Sequence, residues 1–341
     1  MVSFMSTPKY PEDIKGGEAL LSVRNLRMHI STHEGVVKAV DGVNLQIGRG
    51  EIVGLVGESG SGKSMTSRTV VDLLPPGGQV LDGEIEFKGR NLLELPEYEM
   101  RKVRGGEIAF IFQNPTTYLN PVLKIGDQIA EAVVLHQSLD LQAARKVAIQ
   151  CLKEVGLRSP ELLVSNYPHQ LSGGMLQRVM IALALSCKPD LLIADECTTD
   201  LDVTTQLQIL ELLKASVAAS GSSLLLITHN LGVIAHMCER VYVMYGGKVV
   251  ESAGLFDLFE NPKHPYTRGL LKSTLSADST SSELISIKGS VADLINPPTG
   301  CRFHPRCDEV MDICKHQEPP TTQITGSQYA ACHLYGSEKT S

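Results

Sequence analysis

Between residues 20 and 255, short apolar runs alternate with longer stretches in which apolar positions recur every three or four residues. The short runs predict buried strands, and the longer period predicts amphipathic helices. The predicted strands are 20–30, 36–47, 51–56, 108–112, 191–194 and 223–228. The predicted helices are 63–74, 125–157 with a break before Gln142, 173–185 and 203–218. Short apolar strands separated by such helices predict an α/β fold, with a parallel sheet covered on both faces.

Two changes in this pattern predict the domain organisation. A helical stretch at about 120–187 interrupts the alternation, which indicates an inserted helical subdomain. After Gly254, a polar linker at 276–283 leads into a tail rich in cysteine and proline. Residues 1–19 are polar, contain proline and glycine, and predict a flexible N-terminus. The predicted domains are therefore 20–255 and 256–341, without an internal repeat.

Composition limits the partners that we expect. The 341 residues carry a net charge of −7, which is unfavourable for nucleic acid as the main ligand. The longest apolar runs are far shorter than the roughly 20 residues of a membrane-spanning helix. No charged segment followed by an apolar stretch stands at the start, as it would in a signal peptide. Any contact with a membrane is therefore expected to be made through a partner protein.

Residues 57–64, GESGSGKS, fit the pattern G-x-x-x-x-G-K-[ST] between a predicted strand and a predicted helix. The glycines allow the backbone to wrap around phosphate oxygens, and the N-terminus of the helix attracts anions. Lys63 would reach the β- and γ-phosphates, and the Ser64 hydroxyl would bind Mg²⁺. The alternative is a glycine-rich turn that fits by chance, and the strand–loop–helix context argues against it. The segment predicts a site for a nucleoside triphosphate.

Candidate catalytic groups follow the predicted strands. Asp195 and Glu196 stand together at the end of one strand, while Gln113 and His229 end two others. Ligands bind at this edge of parallel sheets. Asp195 would hold Mg²⁺ directly or through water, Gln113 would offer its amide to Mg²⁺ or to water, and Glu196 would act as general base toward the attacking water. His229 would contact the γ-phosphate and that water. Taken singly, each could be a solvated strand end, but a neighbouring phosphate loop favours catalysis.

A second glycine-led helix start lies at residues 171–177, LSGGMLQ. Ser172 is a suitable N-cap, and Gly173 and Gly174 give an anion close access to the backbone. A generic helix cap is the alternative. However, LSGG followed by Gln177, shortly before the acid pair, resembles the signature motif of the ABC ATPases. Together with the phosphate loop, Gln113, the acid pair, the segment 199–202 and His229, it makes residues 20–255 resemble that family in order and spacing.

This resemblance implies a P-loop NTPase (RecA-like) ABC cassette with an antiparallel β subdomain beside the helical one. The residues around its own ATP are then Gly57, Glu58, Ser59, Gly60, Ser61, Gly62, Lys63, Ser64 and Met65. In the family, two cassettes pack head to tail. Ser172, Gly173, Gly174 and Gln177 would thus face the ATP of the partner. With one copy of each motif, the chain would need a second cassette.

Other segments resemble the D-type ATPase subunits of the dipeptide/oligopeptide/nickel importers. They are YPHQ at 167–170, LDVT at 201–204, HPYT at 264–267 and PPTGCRFHPRC at 297–307. The resemblance implies ATP hydrolysis that powers the uptake of peptides, with nickel complexes or oligosaccharides as alternatives. It also implies an F-type ATPase partner, two transmembrane permeases and an extracytoplasmic binding protein, with the chain on the cytoplasmic face of the cell membrane.

Two other functions are compatible with an ABC cassette. A soluble ABC protein acting on nucleic acid or ribosomes usually carries two cassettes or a long coiled-coil insertion, and this sequence has neither. An exporter cassette is the other possibility, and the cysteine-rich tail argues against it.

Three positions depart from the family pattern. Cys197 replaces the usual proline after the acid pair, and Asp200 replaces an alanine in the following loop. Neither position carries the hydrolytic chemistry, so hydrolysis should survive. Ile30 stands where an aromatic ring usually stacks on adenine, so that adenine would meet apolar packing, His29 or His33.

Four of the eight cysteines, Cys301, Cys307, Cys314 and Cys332, crowd into the last 41 residues. Without a secretory signal, such a cluster indicates a metal site before a disulfide framework. The spacing C-x5-C-x6-C-x17-C lacks paired C-x2-C knuckles, which leaves an iron–sulfur cluster, zinc or free thiols open. The resemblance favours a [4Fe–4S] cluster, since importer ATPases with this tail can carry one. Its role would be structural: the bound cluster would cross-link and stabilise a tail that is poor in apolar residues.

Overall fold

The computed structural model describes residues 19–199, 201–278 and 287–336. Most of the predicted flexible N-terminus, Asp200 and most of the predicted linker at 276–283 lie outside this range. The chain divides into two compact units. Unit 1 is Met1–Gly48, Val53–Leu93 and Thr228–Ser341, and unit 2 is Arg49–Ile52 and Glu94–Ile227.

Strands and helices alternate through most of the described chain. The strands are β1 (Leu21–Thr32), β2 (Gly35–Ile47), β3 (Ile52–Val56), β4 (Gly78–Phe87), β5 (Arg90–Asn91), β6 (Ile108–Ile111), β7 (Leu191–Asp195), β8 (Ser223–Thr228), β9 (Arg240–Tyr245), β10 (Lys248–Gly254), β11 (Thr321–Thr325) and β12 (Gln328–Ala331). The α-helices are α1 (Lys63–Val70), α2 (Glu97–Val103), α3 (Pro115–Tyr118), α4 (Ile125–Gln137), α5 (Leu141–Glu154), α6 (Pro160–Leu163), α7 (Gly173–Leu185), α8 (Val203–Ser220), α9 (Leu231–Met237), α10 (Leu255–Glu260) and α11 (Pro265–Asp278). Each predicted strand and helix has a counterpart here, with ends that differ by a few residues.

Unit 1 contains the antiparallel β layer that was expected from the family resemblance. Its strands lie in the order β2-β1-β4-β5, and all neighbours are antiparallel. A second group lies in the order β11-β12-β10-β9-β3, in which only β3 and β9 are parallel. The side chains of β3 are all buried, as expected for a strand covered on both faces.

The antiparallel strands after residue 228 are absent from the sequence-based prediction. β9 and β10 form a hairpin through Gly246 and Gly247, whose φ angles are +56° and +81°. Positive φ at both turn positions is characteristic of the tight turns that join antiparallel strands, and glycine adopts it without strain. β11 has five residues and β12 has four, so both are too short to show a clear apolar alternation in the sequence.

Unit 2 contains the parallel strands β8-β7-β6 and the helices α2 to α8. The break predicted before Gln142 is confirmed. α4 ends at Gln137 and is followed by Ser138, which has a φ of +53°. α5 begins at Leu141, and its N-cap Asp140 accepts a hydrogen bond at Oδ1 from the N–H of Ala143 at 2.8 Å. A left-handed residue and a capping aspartate thus separate two helices whose apolar pattern is continuous.

Two predicted boundaries are wrong. α1 ends at Val70 rather than at residue 74, because Asp72 takes a left-handed conformation with a φ of +52°. Residues 276–278, expected to belong to a linker, form the last turn of α11. Within the part of the chain that the structure describes, no helix has the length and apolar character to cross a bilayer.

The C-terminal extension, defined here as residues 256–341, docks on β9 through aromatic side chains. The Phe303 ring lies 5.2 Å from that of Tyr245 and 5.4 Å from that of Tyr266, measured between centroids. It also lies 5.7 Å from the ring of His264. Phe303 is 3% exposed. Packing of this kind lets a tail with few apolar residues share the core of the unit that it joins.

Replacing Phe303 with alanine should destabilise the extension by about 3–5 kcal/mol, because a fully packed aromatic side chain is lost. Denaturant unfolding combined with limited proteolysis of the tail measures this. Phe256 is 76% exposed on α10, and Phe256→Ala is the matched control with an expected change below about 0.5 kcal/mol. Equal effects of the two substitutions would contradict the docking role of Phe303.

Candidate functional site

The phosphate loop, residues 57–64, joins β3 to α1 in unit 1 and packs closely against its neighbours. A Cβ atom added to Gly57 would lie 2.1 Å from the carbonyl oxygen of Met244, and one added to Gly62 would lie 2.3 Å from that of Ala39. The φ angles of the two glycines are +155° and +101°. Only glycine fits both positions, because steric space and backbone conformation exclude a side chain.

The loop presents groups suited to an anion. Lys63 is 4% exposed, and its Nζ donates hydrogen bonds to the carbonyl oxygens of Gly57 at 2.8 Å and Glu58 at 3.0 Å. The Oγ of Ser61 is buried without a hydrogen-bond partner among the described residues. No side chain caps the start of α1 at Gly62. An orphaned hydroxyl and a helix N-terminus without a side-chain cap are what a phosphate-binding loop requires.

The rest of the loop is more accessible. Ser59 and Gly60 are exposed, and Ser64 and Met65 are half-buried. The structure therefore places the predicted ATP-binding residues on the loop and on the first residues of α1, with their side chains in unequal environments.

Residues of the C-terminal extension contact the loop at Glu58, and no pattern in the sequence predicts this contact. The guanidinium of Arg306 forms two hydrogen bonds with the Glu58 carboxylate, at 2.6 Å and 3.0 Å. The hydroxyl of Tyr266 accepts a hydrogen bond from the Glu58 N–H at 2.8 Å. The HPYT segment and the arginine beside Cys307 are visible in the sequence. Neither of them, however, indicates that Tyr266 or Arg306 contacts Glu58.

In unit 2, the acid pair follows β7. Asp195 is 3% exposed, whereas Glu196 has a φ of +48° and donates its N–H to the carbonyl oxygen of Ile227 at 2.9 Å. The Gln113 Nε2 and the Thr199 Oγ1 each lie 3.4 Å from the Glu196 Oε2. The structure thus brings Gln113 and Glu196 together, and it adds Thr199 to them.

The predicted signature residues begin α7. Ser172 is the N-cap residue, but its side chain makes no capping hydrogen bond. Ser172 and Gly173 are exposed and Gly174 is half-buried, so that this helix start is open to a ligand. Gln177 is different, because it is 2% exposed and its Nε2 has no hydrogen-bond partner within the described chain.

His229 belongs to unit 1, follows β8 and is exposed. The next residue, Asn230, caps α9 by accepting a hydrogen bond from the N–H of Gly232 at 2.8 Å. Ile30 is half-buried and pairs with Val37 of β2.

Cys197, which stands at a departure from the family pattern, is buried at 3% exposure. Burial raises the pKa of its thiol to about 12, so the group stays protonated and unreactive near neutral pH.

The four C-terminal cysteines line one small pocket together with His264 and Phe303. Burial, and then the neighbouring thiols, raise the pKa of Cys301 to about 11 and that of Cys332 to about 12. All four are free thiols. Among residues 19–199, 201–278 and 287–336, no group of three or more His, Cys, Asp or Glu side chains stands in a metal-binding arrangement.

The phosphate loop, the acid pair and the LSGG helix together define an ATP-binding cassette of the ABC type. Comparison with known families agrees with this class. The family model described as ABC transporter matches residues 40–199. The model described as oligopeptide/dipeptide transporter, C-terminal region matches residues 250–314.

Three curated relatives match almost the whole chain. The oligopeptide transport ATP-binding protein AppD of Bacillus subtilis is 48% identical over 94% of this chain and 98% of its own length. The dipeptide transport ATP-binding protein DppD of the same organism is 47% identical over 93% and 95%. The oligopeptide transport ATP-binding protein OppD of Escherichia coli is 41% identical over 97% and 98%. This chain belongs to the family of oligopeptide and dipeptide ABC transporter ATP-binding proteins.

Solved structures confirm the cassette fold. A dimeric ATP-binding cassette in a post-hydrolysis state, bound to ADP and Pi, has a TM-score of 0.62 and 30% identity. The match covers 69% of this chain and 98% of that one. The cbiO1 protein of Clostridium perfringens, part of the ABC transporter complex cbiONQ, has a TM-score of 0.61 at 26% identity, over 72% and 92%.

Gly62→Ala should abolish ATP binding, because the added methyl group would displace either the loop or the β2 backbone at Ala39. Gly60→Ala is the matched control in the same loop, since no atom lies within 4 Å of its added Cβ. Its φ of +79° should cost only about 1 kcal/mol of stability. Titration calorimetry with ATP compares the two variants, and equal affinities would contradict the steric argument.

Proposed function

We propose that the chain is the ATP-hydrolysing subunit of an ABC importer that takes up peptides or related small solutes. The observation that carries the proposal is the phosphate loop, in which closely packed glycines, the orphaned Ser61 hydroxyl and Lys63 surround one anion-binding turn. The peptide class follows from the relatives, whose names specify oligopeptide and dipeptide transport. Residues 20–255 would form the ATPase domain, with a helical subdomain at about 120–187, and residues 256–341 the extension.

Glu196 is the proposed general base. Its left-handed backbone is a conformation that non-glycine residues rarely adopt, at a cost of about 1–3 kcal/mol. The N–H bond to Ile227 holds this conformation, while Gln113 and Thr199 contact the carboxylate. Backbone strain of this kind is common where a catalytic side chain must be aimed. The carboxylate would take the proton of the attacking water, and His229 would hold the γ-phosphate.

Mg²⁺ fits the oxygen donors that each unit offers. The Ser64 hydroxyl, the Asp195 carboxylate and the Gln113 amide oxygen are the ligand types that this cation prefers. When bound, Mg²⁺ would neutralise charge on the β- and γ-phosphates. Asp195 is buried at the end of β7, where its orientation is restricted by packing.

The exposed start of α7 supports assembly with a second cassette. Ser172 and Gly173 offer an accessible helix N-terminus, and Gly174 adds close backbone access. These three residues would contact the ATP that the partner's phosphate loop holds. The buried Gln177 would act by supporting α7 from inside. The partner would be an F-type ATPase, and two permeases with a substrate-binding protein would complete an importer at the cytoplasmic face of the membrane.

The C-terminal cysteines would hold an iron–sulfur cluster of the [4Fe–4S] type, with zinc as the alternative. Four thiols around one pocket fit a soft metal in donor type. Because the pKa values of Cys301 and Cys332 are raised to about 11 and about 12, binding must displace protons from them. The thiols would also have to move closer together, since the described residues contain no ready metal-binding group. The bound group would cross-link the tail.

Glu196→Gln should lower ATP hydrolysis by at least about 100-fold, because the amide cannot accept the proton. ATP affinity should stay within roughly twofold of wild type, and ATP should trap a closed dimer on size-exclusion chromatography. The exposed Glu161 provides the control variant Glu161→Gln, for which no change is expected. Unimpaired hydrolysis by Glu196→Gln would contradict the assignment of Glu196 as the general base.

Anaerobically purified protein should contain iron and sulfide and show a broad visible absorption band. Cys307→Ser should remove most of the iron, because one ligand of the set is lost. Cys187→Ser, at a half-buried thiol outside the pocket, is the control and should retain it. If the protein contains stoichiometric zinc and no iron, the site is a zinc site and the proposed cluster is wrong. If the protein contains no metal, both proposals are wrong.

A further inference from the structure

The contact between Arg306 and Glu58 joins residues that are 248 positions apart. The side chain of Arg306 is 4% exposed, and that of Glu58 is 26% exposed. A guanidinium and a carboxylate that share two hydrogen bonds have a defined relative orientation as well as a charge interaction. Because this cation is almost fully buried, the pair is not a solvated surface contact.

Arg306 is itself held from several sides. Its Nε donates to the carbonyl oxygen of Lys288 at 2.9 Å, and its Nη2 also approaches that of Ile287 at 3.3 Å. Its Cζ lies 5.7 Å from the ring centroid of Tyr245, within the range of a cation–π contact. These contacts restrict the movement of the guanidinium away from the Glu58 carboxylate.

Glu58 is held at each of its polar groups. Its carboxylate binds Arg306, its N–H donates to the Tyr266 hydroxyl, and its carbonyl oxygen accepts from the Lys63 Nζ. Tyr266 is fully buried. The position of Glu58 therefore affects the path of the loop. It also affects Lys63, the residue that would reach the phosphates, because the Lys63 Nζ donates to the Glu58 carbonyl oxygen.

Charge gives the pair a second effect. Glu58 places a carboxylate in a loop that would bind the polyphosphate of ATP, and like charges repel each other. Pairing with Arg306 cancels that charge before ATP arrives. Without the arginine, ATP would meet a loop that is both less constrained and more negative.

We propose that Arg306 is a positioning residue of the ATP site: it orients Glu58 and cancels its charge, so that ATP affinity depends on the docked C-terminal extension. The inference rests on the proposed role of residues 57–64 in binding ATP. Because coupling between two sites is reciprocal, ATP binding should in turn stabilise the extension around Arg306.

Arg306→Gln in the full-length protein tests the proposal through ATP titration calorimetry and steady-state kinetics. The Kd and the KM for ATP should rise about tenfold, while kcat should change by less than about threefold, since no group that touches the reacting atoms is removed. Arg306→Lys should lie between wild type and Arg306→Gln, because lysine restores the charge but lacks the planar guanidinium that forms two parallel hydrogen bonds with the carboxylate. Adding Glu58→Gln to Arg306→Gln should recover part of the affinity by removing the uncancelled carboxylate.

Arg268→Gln is the matched control. Arg268 forms an ion pair with Glu309 of the same extension at 2.8 Å and donates to the carbonyl oxygen of Lys263 at 3.3 Å. Within the described residues, it forms no hydrogen bond or ion pair with the phosphate loop. Its substitution should leave the ATP Kd at the wild-type value. Equal losses in Arg268→Gln and Arg306→Gln would overturn a specific role of Arg306, as would wild-type affinity in Arg306→Gln.

Hydrogen–deuterium exchange on the wild-type protein provides a measurement that does not require a variant to fold. ATP should slow amide exchange in residues 301–314 as well as in the loop. ATP that protects the loop but not residues 301–314 would overturn the coupling. Wild-type protein that binds no ATP would instead overturn the proposed function, so the two failures are distinguishable.

Discussion

The close approach of the phosphate loop to the backbone of its neighbours is the constraint on which the site in unit 1 depends. Gly57 lies against the carbonyl group of Met244 in β9, and Gly62 lies against that of Ala39 in β2. These contacts leave no room for a Cβ atom, so the loop can follow this path only with glycine at both positions. A loop held at both ends presents its remaining N–H and hydroxyl groups in one place, which is the requirement for binding a phosphate chain.

Buried charges connect the extension to the same part of unit 1. Arg302 donates to the carbonyl oxygen of Gly246 in the β9–β10 turn and pairs with Asp41 of β2, while Arg306 pairs with Glu58. Each arginine stands next to a cysteine of the pocket, Cys301 or Cys307. A buried guanidinium is tolerated only with a well-oriented partner, so both pairs define where the tail docks. The extension thereby becomes part of unit 1.

A third buried charge, Glu251 of β10, organises the start of the extension. Its carboxylate accepts hydrogen bonds from the N–H groups of Lys263 and His264, each at 2.8 Å, and from the Gln328 side chain at 3.2 Å. Glu251 is 1% exposed, and this burial raises the pKa of its carboxyl group despite these bonds. Lys263 and His264 are followed by Tyr266, whose hydroxyl accepts a hydrogen bond from the Glu58 N–H in the phosphate loop. The HPYT segment therefore links the edge of the sheet to the phosphate loop.

The strands and helices that have a strong apolar period can be predicted from the amino-acid order alone, because burial of those positions is a local requirement that any fold must meet. The amino-acid order also determined the phosphate loop, the acid pair and the LSGG helix start, since their chemistry depends on residues that are adjacent in the chain. Tertiary structure alone decided the partners of Glu58, the antiparallel edge formed by β9 to β12, the burial of Gln177 and the contact between Gln113 and Glu196. Each of these depends on groups brought together from distant parts of the chain, and the identity of a side chain does not specify which distant group it will meet.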